Sequence, residues 1–421
     1  MAEVQFQNIS DFFRQAVEPE VRTFFENNAP GYNAFRKATP TEPITEKGYR
    51  IPYYSRRAGG HTAWIPSASD FNAAVPPQSQ SMWVYPTGYA LPIVLPGTTI
   101  RAFRKGQAQA IIDLNRFMAG YTETATKRVN HIFYGVGDGA LAYSATTIGG
   151  TGSASMTGET TPAAAPGHTK GLVLLEEGHT YQAINTSTGA VRGTFTVTTP
   201  GRVTATVNVT SGTVSSGDPI VDVGSYLRWM RGLGHLIDNT SRDLQGLSTA
   251  AFPDLNASIV DKANQVLTPS DLETVKATLT TRNNASNAQN KLICFTTFGQ
   301  LSSLRKQGYN LRFYMNGDEP AKGVQKRYED GDTVFIEDAD MDEDRGYFVQ
   351  ADQFAMFEEM AFGPYDLDGQ ELRMLLGANS TGSDNYQKAI GCRSNPAILL
   401  PRSAAAWKRA SLTNIVTQAG L

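Results

Sequence analysis

The sequence predicts an α+β protein built from more than one unit, and three observations carry this prediction. Apolar residues three and four apart mark a long amphipathic helix between about residues 104 and 133. The stretch from about 140 to 224 is rich in Thr, Ser, Gly and Val, as inserted β structure would be. Helical and strand patterns then mix over the second half. A chain of 421 residues also exceeds the usual size of a single core, so we expect an insertion or two to three subdomains.

Composition narrows the classes of function. The chain has 37 Lys and Arg against 40 Asp and Glu, which is not the basic footprint of a sequence-independent nucleic-acid binder. Cys294 and Cys392 are too far apart for a disulfide framework or a clustered metal site, which favours a reducing compartment. The first residues lack the layout of a signal peptide, and no apolar run approaches the ~20 residues that a membrane helix needs. We therefore expect no membrane association and no cofactor.

A short interrupted helix is predicted near the N-terminus. Ser10 precedes Phe12 and Phe13, and the apolar pattern resumes after Pro19. We expect Pro30-Gly31 to end this helix.

The next stretch is predicted to be extended. Its nine prolines between residues 40 and 96 exclude a continuous helix. Tyr49-Arg-Ile-Pro-Tyr-Tyr and Met82-Trp-Val-Tyr are typical of strands, so we expect a long hairpin with a projecting loop between them. Its aromatic residues have little local core to cover them. We therefore expect the segment from Gly48 to Leu95 to lie mainly on neighbouring subunits.

The long helix and the β-rich stretch follow in order. Gly135-Val-Gly-Asp-Gly is interpreted as the turn that ends the helix, because it lacks the Lys-Ser/Thr ending of a phosphate loop. Thr194-Phe-Thr-Val-Thr and Val203-Thr-Ala-Thr-Val alternate apolar and polar residues around Pro200-Gly201, as an antiparallel hairpin does. Composition changes at both ends of this stretch, so we expect deletion of residues 145–220 to leave the rest able to fold. The apolar face of the helix comprises Ile111, Leu114, Met118, Tyr121, Ala125, Val129 and Ile132.

The second half mixes helices and strands. Thr268 and Pro269 open a helix that runs to about Arg282, and Phe298 begins a second helix that we expect Gly308 to end. Four apolar runs predict strands, and these begin at Lys291, Thr333, Gly346 and Ala397.

This order of elements resembles the Hong Kong ninety-seven type capsid fold of tailed double-stranded DNA phages. The most specific local segments are Arg231-Gly-Leu-Gly-His-Leu-Ile-Asp, Leu244-Gln-Gly-Leu and Phe252-Pro-Asp-Leu-Asn. The resemblance implies that the chain has five parts. One of them, the β-rich insertion, is absent from the minimal form of the family fold. These parts are an N-terminal arm (1–45), an extended β-hairpin loop (46–100), the spine helix of a peripheral domain (101–139), an inserted β-rich domain (140–224), and an axial domain with the remaining peripheral strands (225–421).

The resemblance implies a major capsid protein that is not an enzyme. It would assemble with copies of itself into hexamers and pentamers of an icosahedral head, in the host cytoplasm, and enclose packaged DNA without sequence-specific binding. It admits portal, scaffolding and cement proteins as further partners. Candidate interface residues are aromatic or arginine side chains, the types enriched at protein interfaces: Phe12, Phe13, Tyr53, Tyr54, Arg56, Arg57, Trp64, Phe71, Trp83 and Tyr85.

Two other functions fit parts of the sequence. A cellular compartment shell of the encapsulin type shares the fold and would enclose an enzyme instead of a genome. A β-rich hydrolase would need paired carboxylates in a cleft. The acidic run Glu337-Asp-Ala-Asp-Met-Asp-Glu-Asp lacks the pattern of a calcium loop, so we interpret it as a solvated turn. The five histidines are scattered, so no catalytic or metal site is predicted.

Overall fold

A computed structural model of the chain describes residues 18–38, 41–43, 48–56, 76, 78–96, 98, 108–161, 169–283, 292–315, 333–365, 373–376 and 382–411. Within these residues, no helix combines the length and apolar character needed to cross a bilayer.

Two helices begin the described chain, α1 (Glu18–Asn28) and α2 (Pro30–Ala38), followed by strand β1 (Thr41–Pro43). The expectation that Pro30-Gly31 ends the helical segment was wrong. Pro30 is the first residue of α2, a position where its missing N–H costs nothing and its fixed φ suits the helix. Phe25, Tyr32 and Phe35 are buried, so this part of the predicted arm packs into the core of its own chain.

The predicted hairpin is confirmed. Strands β2 (Tyr49–Arg56) and β3 (Gln78–Val84) pair antiparallel, with Tyr49 opposite Val84. Strand β4 (Gly88–Pro96) follows. The projecting loop between β2 and β3 lies outside the described residues.

The predicted long helix is also confirmed as α3 (Ala108–Tyr134), 27 residues long. Its buried side chains include Met118, Ala125, Val129 and Ile132, which belong to the predicted apolar face.

The β-rich stretch forms a six-stranded antiparallel sheet with the order β5-β10-β7-β8-β9-β6. Its two outer strands also meet. Ala145 N donates to Thr157 O at 2.8 Å and Glu159 N to Tyr143 O at 2.8 Å, which closes the sheet into a small barrel. The strands are β5 (Ala142–Tyr143), β6 (Gly152–Thr157), β7 (Thr180–Ile184), β8 (Val191–Thr199), β9 (Thr204–Gly212) and β10 (Pro219–Asp222).

The remaining elements come from residues 233–408. The helices are α4 (Leu233–Leu236), α5 (Pro269–Asn283) and α6 (Phe298–Met315). The strands are β11 (Asp243–Leu244), β12 (Leu247–Ser248), β13 (Ser258–Asp261), β14 (Leu292–Thr296), β15 (Thr333–Glu337), β16 (Gly346–Gln350), β17 (Phe354–Tyr365), β18 (Arg373–Leu376), β19 (Gly382–Ile398) and β20 (Ala404–Lys408).

Two five-stranded sheets organise the chain outside the barrel. In the first sheet, the long strand β19 pairs with β17 and β18 along one edge and with β4 along the other, and β1 pairs with β17. Helices α1, α2 and α3 contact the strands of this sheet. The second has the order β13-β20-β16-β14-β15 and shares a core with α5 and α6. Helix α6 continues past Gly308, so the prediction that this glycine ends it was wrong.

Trp407 is the largest fully buried side chain, and it sets a strict requirement at Gly346 on the neighbouring strand. A Cβ atom at residue 346 would lie 2.0 Å from the indole ring. Glycine is therefore required at residue 346 to leave room for the Trp407 ring.

Candidate assembly surfaces

The β2–β3 hairpin has two unlike faces, as the alternation along a strand requires. Ile51, Tyr53, Met82 and Val84 are buried in the chain's own core. Trp83 and Tyr85 point away from that core and are 40% and 55% exposed. The hairpin therefore packs on its own chain with one face and leaves the other exposed.

The exposed face carries aromatic rings that already touch one another. Trp83 and Tyr85 lie with their planes 14° apart and their centroids 6.4 Å apart. Tyr49 packs against Phe357 with a centroid distance of 4.8 Å.

The ten predicted interface residues fall into three groups. Trp83 and Tyr85 are exposed as expected. Tyr53 is a correction, because its ring is buried against Phe252 of the same chain at a centroid distance of 6.2 Å. Tyr54 and Arg56 lie in β2, but their side chains are outside the described residues, as are Phe12, Phe13, Arg57, Trp64 and Phe71 altogether.

The hairpin contacts the segments near residues 231–256 on which the resemblance to the capsid fold is based. Trp83 N donates to Gln245 O at 2.8 Å, which joins β3 to the β11–β12 turn. Arg242 links the β11–β12 turn to the end of α4. Its guanidinium donates to the carbonyls of His235, Leu236 and Asp238 at 2.7, 3.0 and 2.8 Å. These carbonyls lie at the end of α4, where no helical N–H remains to bond them. Sequence reasoning found this segment but not the role of Arg242.

His235 belongs to the same region. Its Nε2 lies 3.0 Å from Asp243 O, and burial followed by the charges of Arg231 and Arg242 lowers its pKa to about 4. The imidazole is therefore neutral at pH 7, and its Nε2–H donates to the carbonyl.

A buried arginine joins the spine helix to the barrel. Arg128 of α3 donates from Nη1 to both carboxylate oxygens of Asp222 at 2.9 and 2.8 Å, and from Nη2 to Tyr181 Oη at 3.1 Å. Burial alone would lower the pKa of Arg128, but Asp222 and the two nearest tyrosines hold it above its usual value. Glu176 completes the cluster at 3.8 Å. We call this cluster joint one.

The acidic turn, residues 337–344, is not solvated, which corrects the sequence interpretation. Asp338, Asp342 and Asp344 are buried. Asp338 accepts hydrogen bonds from Gly31 N, Asn130 Nδ2 and Tyr134 Oη, each at 2.9 Å. Its carboxylate thus ties α2 and α3 to the second sheet.

The same turn also contacts the barrel. Thr169 N donates to Asp342 Oδ1 at 3.3 Å, and Glu343 N donates to Thr169 Oγ1 at 2.9 Å. Lys170 Nζ donates to the carbonyl of Ala339. Burial lowers the pKa of Lys170, although Asp340 and the other acidic side chains oppose that shift. We call these contacts joint two.

These carboxylates do not form a site for an ion. Among the described residues, no group of three or more His, Cys, Asp or Glu is placed to hold a metal. Cys294 and Cys392 are both buried and unbridged, and burial raises the pKa of Cys392 to about 12, so its thiol is unreactive.

The fold is that of a known capsid protein. A structure described as the cyanophage A-1(L) capsid asymmetric unit matches with a TM-score of 0.54 at 9% identity, covering 91% of this chain and 93% of that one. This chain has a phage-capsid fold. The match confirms the predicted fold class and extends over nearly the whole chain.

Two other solved structures match with TM-scores below 0.5. The capsid of a native GTA particle gives 0.46 at 8% identity, covering 90% of both chains. The encapsulin of the holo-SrpI complex from Synechococcus elongatus gives 0.40 at 7% identity, covering 91% of this chain and 89% of that one. No family model matches the sequence, and no curated protein matches it either.

Proposed function

We propose that the protein is the major capsid protein of a tailed double-stranded DNA phage. The observation that carries this proposal is the capsid fold, matched over 91% of the chain. In this proposal the chain assembles with itself into hexamers and pentamers of an icosahedral head, in the host cytoplasm, and encloses DNA without reading its sequence. Portal, scaffolding and cement proteins would be additional partners of the shell.

The hairpin supports this function because its exposed face needs a partner. Adjacent stacked rings such as Trp83 and Tyr85 would be poorly placed on the surface of a monomer. Copies of one chain can cover each other's hairpins in a closed symmetric shell, where every subunit both gives and receives the contact. We therefore propose Trp83 and Tyr85 as contact residues between subunits. Tyr54, Arg56, Arg57, Trp64, Phe71, Phe12 and Phe13 stay in the proposal on sequence grounds.

A structural role also fits the carboxylates better than hydrolysis does. A hydrolase would hold two carboxyl groups towards a substrate cleft. Asp338 instead accepts hydrogen bonds from α2 and α3, and Asp342 accepts one from the barrel. These acidic groups hold the fold together, so we propose that the protein is not an enzyme.

The contact role of the hairpin is tested with the double variant Trp83→Ala/Tyr85→Ala. The two side chains are 40% and 55% exposed, so the monomer should lose at most about 2 kcal/mol of stability. Assembly should fall at least about tenfold, because aromatic anchors dominate interface energies. The matched control is Val191→Ala, which truncates an exposed apolar side chain on the barrel. Sedimentation that shows the same yield of large particles for the double variant and the parent would refute the contact role.

A further inference from the structure

The barrel has the features of a separate module. Its two outer strands meet at the Ser144–Gly158 bridge, which closes the sheet at that point. Tyr181, Phe195, Val197 and Val207 are buried in it, within an apolar cluster that continues into the rest of the chain. Two connectors, residues 135–139 and 223–231, join the barrel to the rest of the chain, which we call the body. The connectors run side by side, since Leu227 N donates to Asp138 O at 3.1 Å.

The connectors contain left-handed backbone. Gly137 and Gly139 precede the barrel with φ of 84° and 79°. Leu227 follows it with φ of 57°, a conformation that costs a residue with a Cβ about 1 kcal/mol or more. Its side chain is 66% exposed, so packing does not compensate that strain. Strain in the connector is released if the connector is free to move.

The two joints have opposite polarity. In joint one the barrel supplies acidic groups, Asp222 and Glu176, to an arginine of the body. In joint two the barrel supplies the donors Thr169 and Lys170 to the acidic turn. If the barrel turned or slid so as to exchange its two contact sites, like charges would face each other. The pair of joints therefore specifies one orientation of the barrel on the body.

We propose that the barrel is a docked module, held in a single orientation by the two joints, and that it swings away from the body on its connectors when the joints are opened. This inference does not depend on the shell function, because every contact in it lies within one chain. It assigns Arg128 and Lys170 as the positioning residues of the barrel.

Hydrogen exchange of the full-length chain, followed by mass spectrometry, tests the proposal. Arg128→Met should speed exchange in the connectors, residues 135–139 and 223–231, by about tenfold or more, because it leaves Asp222 without its partner in a partly buried place. Lys170→Met should act in the same direction. Strands β8 and β9 should keep their protection in both variants. The matched control is Lys127→Met, since Lys127 is the neighbour of Arg128 on α3 but forms an exposed pair with Glu123.

The double variant gives the sharper result. Both joints hold one docking equilibrium, so the fold-changes of the two single variants should multiply in the double variant. Connector exchange no faster than in Lys127→Met would overturn the proposal. Equal loss of protection in β8 and β9 would also overturn it, because the barrel would then unfold instead of swinging. If Arg128→Met does not fold, Asp222→Asn opens joint one while keeping the arginine, and the same outcomes apply.

Discussion

At the scale of single residues, His235 is the clearest source of pH dependence. Its neutral ring is held by burial and by the nearby Arg231 and Arg242, and it donates to Asp243 O. A proton on this ring would add a third positive charge to the same small region. The folded chain therefore resists protonation of His235 until the pH approaches about 4.

We predict that this histidine destabilises the protein as the pH falls from about 6.5 to about 4. In that window the unfolded chain binds the proton and the folded chain does not, so unfolding becomes more favourable. The loss should be at most about 3 kcal/mol, since one pKa unit corresponds to about 1.4 kcal/mol. Urea denaturation at pH 7.0 and 4.5 measures it. His235→Gln keeps a donor for Asp243 O and should show a smaller loss, whereas an equal loss would show that other groups cause it.

Some site residues could be predicted from sequence and others could not. The exposure of Trp83 and Tyr85 was predicted because aromatic residues in an extended segment have no local core. Tyr53 was misassigned because its burial depends on Phe252, some 200 residues away in the sequence. Arg128 was missed, although a signal existed: it lies three residues after Ala125 and four before Ile132, on the predicted apolar face. A charge at such a position is usually paired.

At the scale of elements, the sequence predicted the helices and hairpins whose formation depends on neighbouring residues. The spine helix, the β2–β3 hairpin and the hairpin of β8 and β9 depend on residue period and on turn residues, and all three were predicted. Closure of the barrel was not predicted, because its outer strands meet through an isolated bridge between Ser144 and Gly158, which is too short to show a period in the sequence. The acidic turn was assigned to solvent because the donors that bury it come from three distant segments.

Deletion of residues 145–220 should leave a soluble, folded body. The chain ends left by the cut, Ser144 and Val221, continue two strands that pair with each other, with Ala142 opposite Ile220. We expect lower stability than in the parent, because Arg128 loses Tyr181 and the acidic turn loses Thr169 and Lys170. Thermal unfolding measures this loss. Insoluble protein at every expression temperature would contradict a separable insertion.

At the scale of the whole molecule, the proposed shell should be held by non-covalent contacts. Some capsid proteins of the resembled fold join a lysine of the extended loop to an asparagine of a neighbour. That reaction needs an amine that can lose its proton, and guanidinium cannot. From Gly48 to Arg104 the chain has five arginines and no lysine. Purified particles boiled in detergent with reductant should therefore give a single band near 45.6 kDa. A ladder of multimers would refute this prediction.

The most direct test of the central claim is electron microscopy of the purified full-length protein. The capsid fold and the exposed hairpin predict closed icosahedral shells built from hexamers and pentamers, in which the face bearing Trp83 and Tyr85 is covered by a neighbouring subunit. A reconstruction from particles purified from the native source should also show DNA inside a head with a tail vertex. Shells that enclose an enzyme and no genome would contradict the phage assignment. A monodisperse monomer or small oligomer at every concentration and salt tested would contradict the shell function itself.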